Sequence, residues 1–238
     1  MLMTHRRLFT LTALLLLAGI TTFAQSTAMK EVPLIDRELF FDNPEISGGQ
    51  LSPDGKWLSF RKPYKGVMNI WLKKTEEPFD AAKPLTADET RPIPGYFWSY
   101  DSKYILFVQD KGGDENYHVF ALDPAAPADA ATGVPPSRDL TAGEAVRAII
   151  YNVSKKQPDK IWVGLNDRDP SWHDLYEVNI STGERKLLRK NEDRITGWNF
   201  DWDESLRLAT RSKDDGSTEF LRVDAGQLTP IYEVGPLE

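Results

Sequence analysis

One supersecondary unit recurs four times along this chain, and that repetition constrains the fold more than any other feature. Each unit has an apolar strand, a turn rich in Asp, Gly, Ser or Pro, and a second strand rich in aromatic and branched residues. A third strand with alternating apolar residues and a short closing segment follow. Counted between Asp54, Asp101, Asp159 and Asp203, successive units lie 47, 58 and 44 residues apart. Because four short antiparallel strands at this period are typical of a β-propeller blade, the sequence predicts an all-β fold with four four-stranded blades.

The predicted units cover residues 51–93, 94–145, 146–194 and 195–238. The second unit is the longest because it contains a segment rich in Pro and Ala, Pro124–Pro136. A β-sandwich also has short strands at regular spacing, but it does not require the same aspartate turn at the same place in each unit. We expect the blades to form an open, partial propeller, whose uncovered edges would make the isolated chain prone to association.

The N-terminus has the pattern of a secretory signal. Arg6 and Arg7 precede an apolar run over residues 8–20, and small residues follow that run. A membrane anchor is the alternative, but a spanning helix needs roughly 20 mostly apolar residues. We expect residues 1–24 to be removed on export, which leaves an N-terminal extension over residues 25–50.

Composition excludes several classes of function. The chain has no cysteine, so it has no disulfide, no thiolate nucleophile and no thiolate metal site. An exported chain without disulfides fits a bacterial periplasmic or extracellular protein. The formal net charge of −7 is the opposite of the basic stripe that binds nucleic acid. A helical turn is expected only near residues 36–41, and no membrane association is expected after signal cleavage.

Several motifs resemble those of a known family. The turn Ser52–Lys56, followed by an aromatic strand, resembles the propeller repeat of TolB-like and prolyl-oligopeptidase-family proteins. Gly112–His118, Leu165–Pro170 and residues 34–45 look like the N-terminal part of a bacterial secreted serine peptidase of the prolyl-oligopeptidase family. Its acylaminoacyl-peptidase and dipeptidyl-peptidase types are the most similar. The resemblance extends over residues 33–223.

The resemblance implies a two-domain enzyme. In that family a propeller covers an α/β-hydrolase domain that carries Ser, Asp and His, and it limits access to short or unfolded peptides. This sequence contains no Gly-x-Ser-x-Gly motif, in which such a nucleophile lies. Outside the predicted signal its histidines are His118, at the start of a strand, and His173, in a predicted loop, and neither is predicted to be catalytic. The implied partners are peptides and a hydrolase domain that these residues do not contain.

The charged turn of the second unit holds the candidate binding residues. Asp110 precedes Asp114, Glu115 and Asn116 in a pattern that superficially resembles a calcium loop, but the ligand spacing of an EF-hand is absent. Two interpretations remain open. The turn is either a solvated hairpin made of residues that turns favour, or a rim that binds a peptide's amino terminus or the hydrolase domain. Asp114, Glu115 and Asn116 are the predicted substrate- or interface-binding residues, and no metal or cofactor is predicted.

A second charged group and the tryptophans also carry predictions. Asp167, Asp169 and Asp174 lie beside His173 and are open to the same two interpretations. The seven tryptophans fall mostly on predicted strands and are expected in the core between blades. Trp172 is the exception, since it lies in a predicted loop and is expected to be the most exposed.

Two functions remain open from the sequence. The first is the substrate-gating and scaffolding propeller part of a prolyl-oligopeptidase-family serine peptidase that hydrolyses peptide bonds of short peptides. The second is a stand-alone periplasmic TolB-like propeller that acts as a binding module. A propeller enzyme with its site in the central channel, such as a lyase or lactonase, is disfavoured. It would need converging histidines or carboxylates on inner strands, and the chain has three histidines in all.

Overall fold

The computed structural model of the protein describes residues 33–42 and 44–237. The predicted signal peptide, residues 1–24, lies outside the described residues, as does the beginning of the predicted extension, residues 25–32. Contacts divide the chain into two units, with the boundary after Asp42.

The first unit, in its described residues, contains one short helix, α1 (Glu38–Phe41), where the sequence predicts a helical turn. Asp36 Oδ1 accepts a hydrogen bond from the backbone N–H of Glu38 at 3.0 Å, which satisfies one of the free donors at the start of the helix. The residues of α1 are exposed. No helix in the described residues is long and apolar enough to cross a membrane.

Residues 44–237 of the second unit form sixteen strands in four sheets, with a 3-10 helix at Phe79–Ala81. Blade 1 contains β1 (Ser47–Leu51), β2 (Trp57–Tyr64), β3 (Val67–Lys74) and β4 (Lys83–Pro84). Blade 2 contains β5 (Gly95–Trp98), β6 (Ile105–Gln109), β7 (His118–Leu122) and β8 (Ser137–Asp139). Blade 3 contains β9 (Ala148–Val153), β10 (Lys160–Asp169), β11 (Trp172–Asn179) and β12 (Arg185–Arg189). Blade 4 contains β13 (Ile195–Phe200), β14 (Leu206–Ser212), β15 (Thr218–Asp224) and β16 (Gln227–Val234).

Within each blade the strands pair in sequence order, each antiparallel to the next, and the four sheets do not close into a ring. This arrangement confirms the predicted open propeller of four-stranded blades. Blade 1 begins at Ser47, earlier than the start of the first predicted unit at residue 51. Gly48 has a φ of +62°, and the register of β1 against β2 shifts between Ser47 and Gln50. Because of this irregularity, the sequence of β1 lacks the alternation of apolar and polar residues by which a strand is predicted.

Three hydrophobic clusters hold the blades together, one between each pair of neighbours. Fully or almost fully buried members are Ile70 and Ile105 between blades 1 and 2, Leu106 and Val163 between blades 2 and 3, and Leu175 and Leu221 between blades 3 and 4. Burying one such side chain stabilises the fold by about 1.5–3 kcal/mol. Since each cluster needs two blades, the stack of blades is what folds, rather than any single sheet.

The tryptophans follow the prediction in part. Trp98, Trp162 and Trp198 are buried in the clusters between blades, as predicted. The prediction for Trp172 is wrong, because this residue lies in β11 and is half-buried. A turn of only two residues precedes it, so the strand reaches further than the turn-forming sequence suggests. The most exposed tryptophan is Trp202, which lies in the turn after β13 and is 86% exposed.

Each blade has two ends, because antiparallel strands reverse direction at every turn. The connections from the first strand to the second, and from the third to the fourth, lie at one end. We call this the Asp-turn end, after its turns at residues 52–56, 99–104, 154–159 and 201–205. The connections from the second strand to the third, and the crossovers to the next blade, lie at the opposite end, which we call the cleft end.

The turns at the Asp-turn end of blades 1 and 2 share one pattern of hydrogen bonds. Ser52 Oγ donates to Asp54 Oδ1 at 2.6 Å and accepts from the backbone N–H of Trp57 at 3.0 Å. In blade 2, Ser99 Oγ donates to Asp101 Oδ1 at 2.7 Å, and both serines are buried. Within each of these two turns the serine and the aspartate hydrogen-bond a few residues apart, which is why the repeat is visible in the sequence.

Blades 3 and 4 are joined at this end by a glutamate. Glu204 accepts hydrogen bonds from Ser154 Oγ at 2.6 Å and from the backbone N–H groups of Lys155 and Lys156 at 2.6 and 3.0 Å. Burial raises the pKa of Glu204, but these hydrogen bonds outweigh it and bring the pKa below its ordinary value. A side chain of blade 4 thus fixes the turn of blade 3.

Two of the four aspartates that mark the repeat do not have the position of Asp54 in its turn. Asp159 accepts a hydrogen bond from Asn179 Nδ2 at 2.9 Å, and Asp203 forms an ion pair with Lys156 at 2.6 Å. The blades repeat as strands, whereas the groups that hold their turns differ.

Candidate functional site

The cleft end of blade 2 contains a cleft of about 650 Å³. Its walls are the crossover from blade 1 (residues 85–94), the turn between β6 and β7 (residues 110–117) and the crossover to blade 3 (residues 140–147). Segments that are distant in sequence thus form one concave surface, which is the usual form of a binding site.

An ion pair joins the first two walls. Arg91 donates through Nε to Asp110 Oδ1 and through Nη2 to Asp110 Oδ2, both at 3.0 Å. The Asp110 side chain is only 3% exposed, and two-bond pairs of this kind are strong and directional. Asp110 Oδ2 also accepts from the backbone N–H of Glu115 at 3.3 Å, so the pair fixes the turn that carries the predicted binding residues.

Asp88 holds the crossover from blade 1 in shape. It accepts hydrogen bonds from the backbone N–H groups of Thr90 and Arg91, both at 2.7 Å, and from Gln109 Nε2 at 3.0 Å. Burial raises the pKa of Asp88, but the hydrogen bonds outweigh it, so the pKa lies below its ordinary value. This carboxylate is ionised at neutral pH and is committed to the loop.

His118 begins β7 and lines the cleft. Its Nδ1 lies 2.6 Å from Asp139 Oδ2 on β8, and its ring stacks on Phe120 with the centroids 6.3 Å apart. Asp139 is itself held by the backbone N–H of Thr141 at 2.9 Å. A carboxylate fixed in this way sets the orientation of the imidazole ring, and Nε2 is the ring nitrogen that remains for other contacts.

The structure brings two of the three predicted binding residues into this cleft. Asp114 and Asn116 line it, whereas Glu115 lies beside them, exposed and with a φ of +60°. Asp114 Oδ1 accepts from the backbone N–H groups of Asn116 at 3.0 Å and Lys111 at 3.3 Å. The bond from Asn116 is the main cause that holds the pKa of Asp114 below its ordinary value. Asp114 therefore shapes the turn and also adds charge to the cleft.

Sequence reasoning found the acids of the turn between β6 and β7, but it did not find the charged groups on the two crossovers. The cleft and its edge hold six carboxylates and two cationic side chains, namely Asp88, Asp110, Asp114, Glu115, Asp139, Glu144, Arg91 and Lys111. Glu115 and Glu144 are exposed and form no ion pair or side-chain hydrogen bond with other described residues. An excess of negative charge in a concave site attracts cations. No local motif marks Glu144, because it reaches the cleft only through the fold.

The acids of blade 3 do not form a comparable site. The Asp174 side chain is fully buried and accepts from Arg168 at 2.7 and 2.8 Å and from the backbone N–H of Asn191 at 2.7 Å. Asp167 and Asp169 have separate partners, a tyrosine hydroxyl and a backbone N–H of the turn. The buried contacts of Asp174 support the fold.

His173 lies in β11 rather than in the predicted loop, because the strand begins directly after the two-residue turn. Its Nε2 is buried and has no hydrogen-bond partner. Burial, together with the charge of Arg147, lowers the pKa of His173. In the part of the chain that the structure describes, no group of three or more His, Asp or Glu could hold a metal ion, and neither His118 nor His173 hydrogen-bonds a serine through its ring.

Comparison with known proteins identifies relatives of the chain, although no family model matches it. It is 40% identical over 205 residues to dipeptidyl aminopeptidase BIII of Pseudoxanthomonas mexicana, an alignment that covers 86% of this chain and 28% of the relative. It is 30% identical over 194 residues to dipeptidyl peptidase family member 6 of Caenorhabditis elegans, covering 80% of this chain and 25% of the relative. The chain thus spans about a quarter of the length of these curated relatives.

Solved structures show the same fold. Prolyl oligopeptidase B of Galerina marginata matches with a TM-score of 0.55 at 14% identity, over 80% of this chain and 27% of that one. A prolyl endopeptidase matches with a TM-score of 0.53 at 18% identity, over 79% of this chain and 27% of that one. At these identities the structures support the fold, and the more similar sequence relatives support the family. Sequence and fold together identify the chain as a propeller portion of the prolyl-oligopeptidase family of peptidases.

Proposed function

We propose that this chain is the part of a serine peptidase that admits and holds short peptides, while an α/β-hydrolase domain cleaves their peptide bonds. The observation that carries the proposal is the 40% identity over 205 residues to a dipeptidyl aminopeptidase. Since the 238 residues contain no Gly-x-Ser-x-Gly motif, the proposal gives them a binding role and gives the nucleophile to the hydrolase domain.

The cleft of blade 2 supports a specific task, which is to hold the amino terminus of a peptide. A terminal ammonium group is a cation with several donors, so its site needs carboxylate oxygens that are not already engaged. Glu115 and Glu144 offer such oxygens, and Asp114 adds negative charge. The Arg91–Asp110 pair keeps the walls in place. Because the walls are fixed before the peptide arrives, less entropy is lost on binding.

Calorimetric titration with tripeptide amides tests this function. A tripeptide with a free amino terminus and uncharged side chains is expected to bind. Its N-acetylated form is expected to bind roughly tenfold more weakly, because acetylation removes a charge-assisted hydrogen-bonding group. Equal affinity for the two forms, or no binding of either, would contradict the proposal.

The same preparation tests the division between binding and cleavage. The chain is expected to leave chromogenic dipeptide and acyl-peptide substrates intact and to take no label from a serine-reactive fluorophosphonate. Labelling together with turnover would mean that a nucleophile lies within these residues.

We also propose that the protein works outside the bacterial cytoplasm, in the periplasm or beyond. The support is Arg6 and Arg7 before the apolar run of residues 8–20. Mass spectrometry of the protein from a periplasmic extract is expected to find an N-terminus at Gln25. A periplasmic protein that retains Met1 would contradict cleavage of the signal.

A further inference from the structure

The Asp-turn end presents one exposed residue per blade at an equivalent place. These residues follow directly after the first residue of each turn and are Pro53, Tyr100, Lys155 and Trp202. Tyr100 is 43% exposed and Trp202 is 86% exposed. Leaving large aromatic rings in water has a cost in free energy, so their contacts are informative.

Lys155 lies between two of these rings. Its Nζ is 5.2 Å from the centroid of the Tyr100 ring and 4.8 Å from that of a Trp202 ring. Both distances fall within the range of about 6 Å in which a cation is attracted to an aromatic face. Beside these groups is a cleft of about 380 Å³ whose lining includes Asp201 and Glu204. We call Tyr100, Lys155 and Trp202 the aromatic clamp.

The aromatic clamp is not what holds the turns in position. Glu204 already fixes the turn of blade 3 through Ser154 Oγ and two backbone N–H groups. The Lys155 side chain is exposed and forms no hydrogen bond or ion pair with other described residues. Its ammonium group therefore contacts the rings without an anchoring partner, and such contacts at exposed sites are weak enough to exchange.

We propose that the aromatic clamp binds an organic cation, the side chain of an arginine or lysine in an extended polypeptide, which displaces Lys155. Two rings are already spaced around an ammonium group, and a guanidinium stacks well on Trp and Tyr. The Glu204 carboxylate adds negative charge to the same cleft. The choice of a polypeptide as the carrier rests on the proposed function, whereas the cation chemistry does not. The site lies at the opposite end of the blades from the acidic cleft.

Tetramethylammonium chloride tests the cation chemistry on the full chain. Proton–nitrogen NMR spectra resolve the indole N–H groups, and Trp202→Phe assigns the signal of Trp202. The salt is expected to shift this signal relative to sodium chloride at the same concentration. Trp172, which contacts Arg194 at 5.7 Å and is half-buried, is the internal control and is expected to stay unshifted.

Removing the ammonium group of Lys155, which occupies the aromatic clamp, makes this test more sensitive. Lys155→Ala is expected to bind tetramethylammonium about fivefold more tightly, because the competing ammonium is gone. A Trp202 signal that does not move in either protein, or weaker binding by Lys155→Ala, would overturn the proposal.

An acetylated and amidated peptide with a single arginine tests whether the aromatic clamp binds a cation that belongs to a polypeptide. It is expected to shift the Trp202 signal, and the matched peptide with citrulline in place of arginine is not. Equal shifts from the two peptides would overturn recognition of the cation, and tetramethylammonium binding without arginine-peptide binding would overturn the polypeptide as carrier. Neither peptide has a free amino terminus, so these results are independent of the acidic cleft.

Discussion

The two ends of the blades are made from the same sheets but are held by different kinds of contact. At the Asp-turn end of blades 1 and 2, residues a few positions apart hydrogen-bond within each reversal, as Ser52 and Asp54 do at 2.6 Å. At the cleft end, the key contacts join separate segments, as Arg91 and Asp110 do. The local contacts recur in blades 1 and 2, whereas the contacts between segments combine residues particular to one blade.

This difference teaches where binding residues arise in a repeat fold. In blades 1 to 3 the turn begins with a buried serine, and the exposed side chain that follows this serine differs from blade to blade. At the cleft end, two crossovers and a turn each add charged groups to one surface. Substitutions of buried polar groups should therefore affect stability at both ends, while the open acids and rings should affect binding alone.

The largest effect is expected from a buried ion pair at the cleft end. Asp174→Ala should lower the free energy of unfolding by about 2–3 kcal/mol, because it removes the buried carboxylate that accepts from Arg168 and from the backbone N–H of Asn191. This loss is smaller than the loss of about 3–5 kcal/mol for a fully buried pair because the Arg168 side chain is partly exposed. Urea unfolding measures this loss. Asp167→Ala, at an exposed carboxylate of the same blade, is the control and should change the value by less than about 0.5 kcal/mol. Equal losses would contradict the structural role of Asp174.

A smaller and matched loss is expected at the Asp-turn end. Ser52→Ala and Ser99→Ala should each lower the free energy of unfolding by about 1–2 kcal/mol, because each removes a buried hydroxyl that both donates and accepts. Thermal unfolding of the two variants side by side checks the match. If one variant were as stable as the wild type, the serine hydrogen bonds that the two turns share would not be what stabilises both of them.

Two glutamates at opposite ends give the next comparison. Glu204→Ala should cost about 1 kcal/mol, a value reduced by its partial exposure, because three donors lose their acceptor. Glu144→Ala should leave the free energy of unfolding within about 0.5 kcal/mol of the wild type, since its carboxylate is exposed and unpaired in the described residues. Urea unfolding of both variants measures the difference. A larger loss of stability for Glu144→Ala than for Glu204→Ala would contradict the roles assigned to the two glutamates.

The smallest effect concerns pH. Burial and the charge of Arg147 lower the pKa of His173 below its ordinary value of 6.5, so the folded chain binds fewer protons there than the unfolded chain. The stability from neutral His173 is therefore present above about pH 6.5 and is lost as the pH falls below it. The lowered pKa values of Asp54 and Asp101 remove stability only below their ordinary value of 3.8.

The variant His173→Gln separates the pH range in which His173 titrates from the lower range in which the aspartates titrate. The melting temperature of the wild type should fall between about pH 6.5 and 5 more steeply than that of His173→Gln. The same slope in both proteins over this range would contradict the buried, neutral state of His173.

Sequence was sufficient for the parts of the fold that depend on neighbours along the chain. Ser52 and Asp54 fix a turn within five residues, so the repeat and the four-stranded blades could be predicted. The acidic turn at Asp114 was also visible, because turn-forming acids and glycines are a local signal.

The rest could not be predicted because it depends on segments brought together by the fold. Asp88 and Glu144 lie on crossovers to either side of blade 2, and nothing near them in sequence marks a shared cleft. The errors at Trp172 and His173 have a different origin. Pro170 and its neighbours correctly signal a turn, but both strands continue up to it, and tertiary pairing decided where the strand begins.

The most direct test of the central claim measures the affinity of a free-amino tripeptide amide, with uncharged side chains, for two variants. The first is the double variant Glu115→Gln/Glu144→Gln at the cleft end, and the second is Trp202→Ala at the Asp-turn end. Titration calorimetry is expected to show roughly a tenfold loss for the double variant, because its charge-assisted contacts are gone. Trp202→Ala should bind like the wild type. A loss confined to Trp202→Ala, or equal losses in both variants, would contradict the assignment of the peptide's amino terminus to the acidic cleft of blade 2.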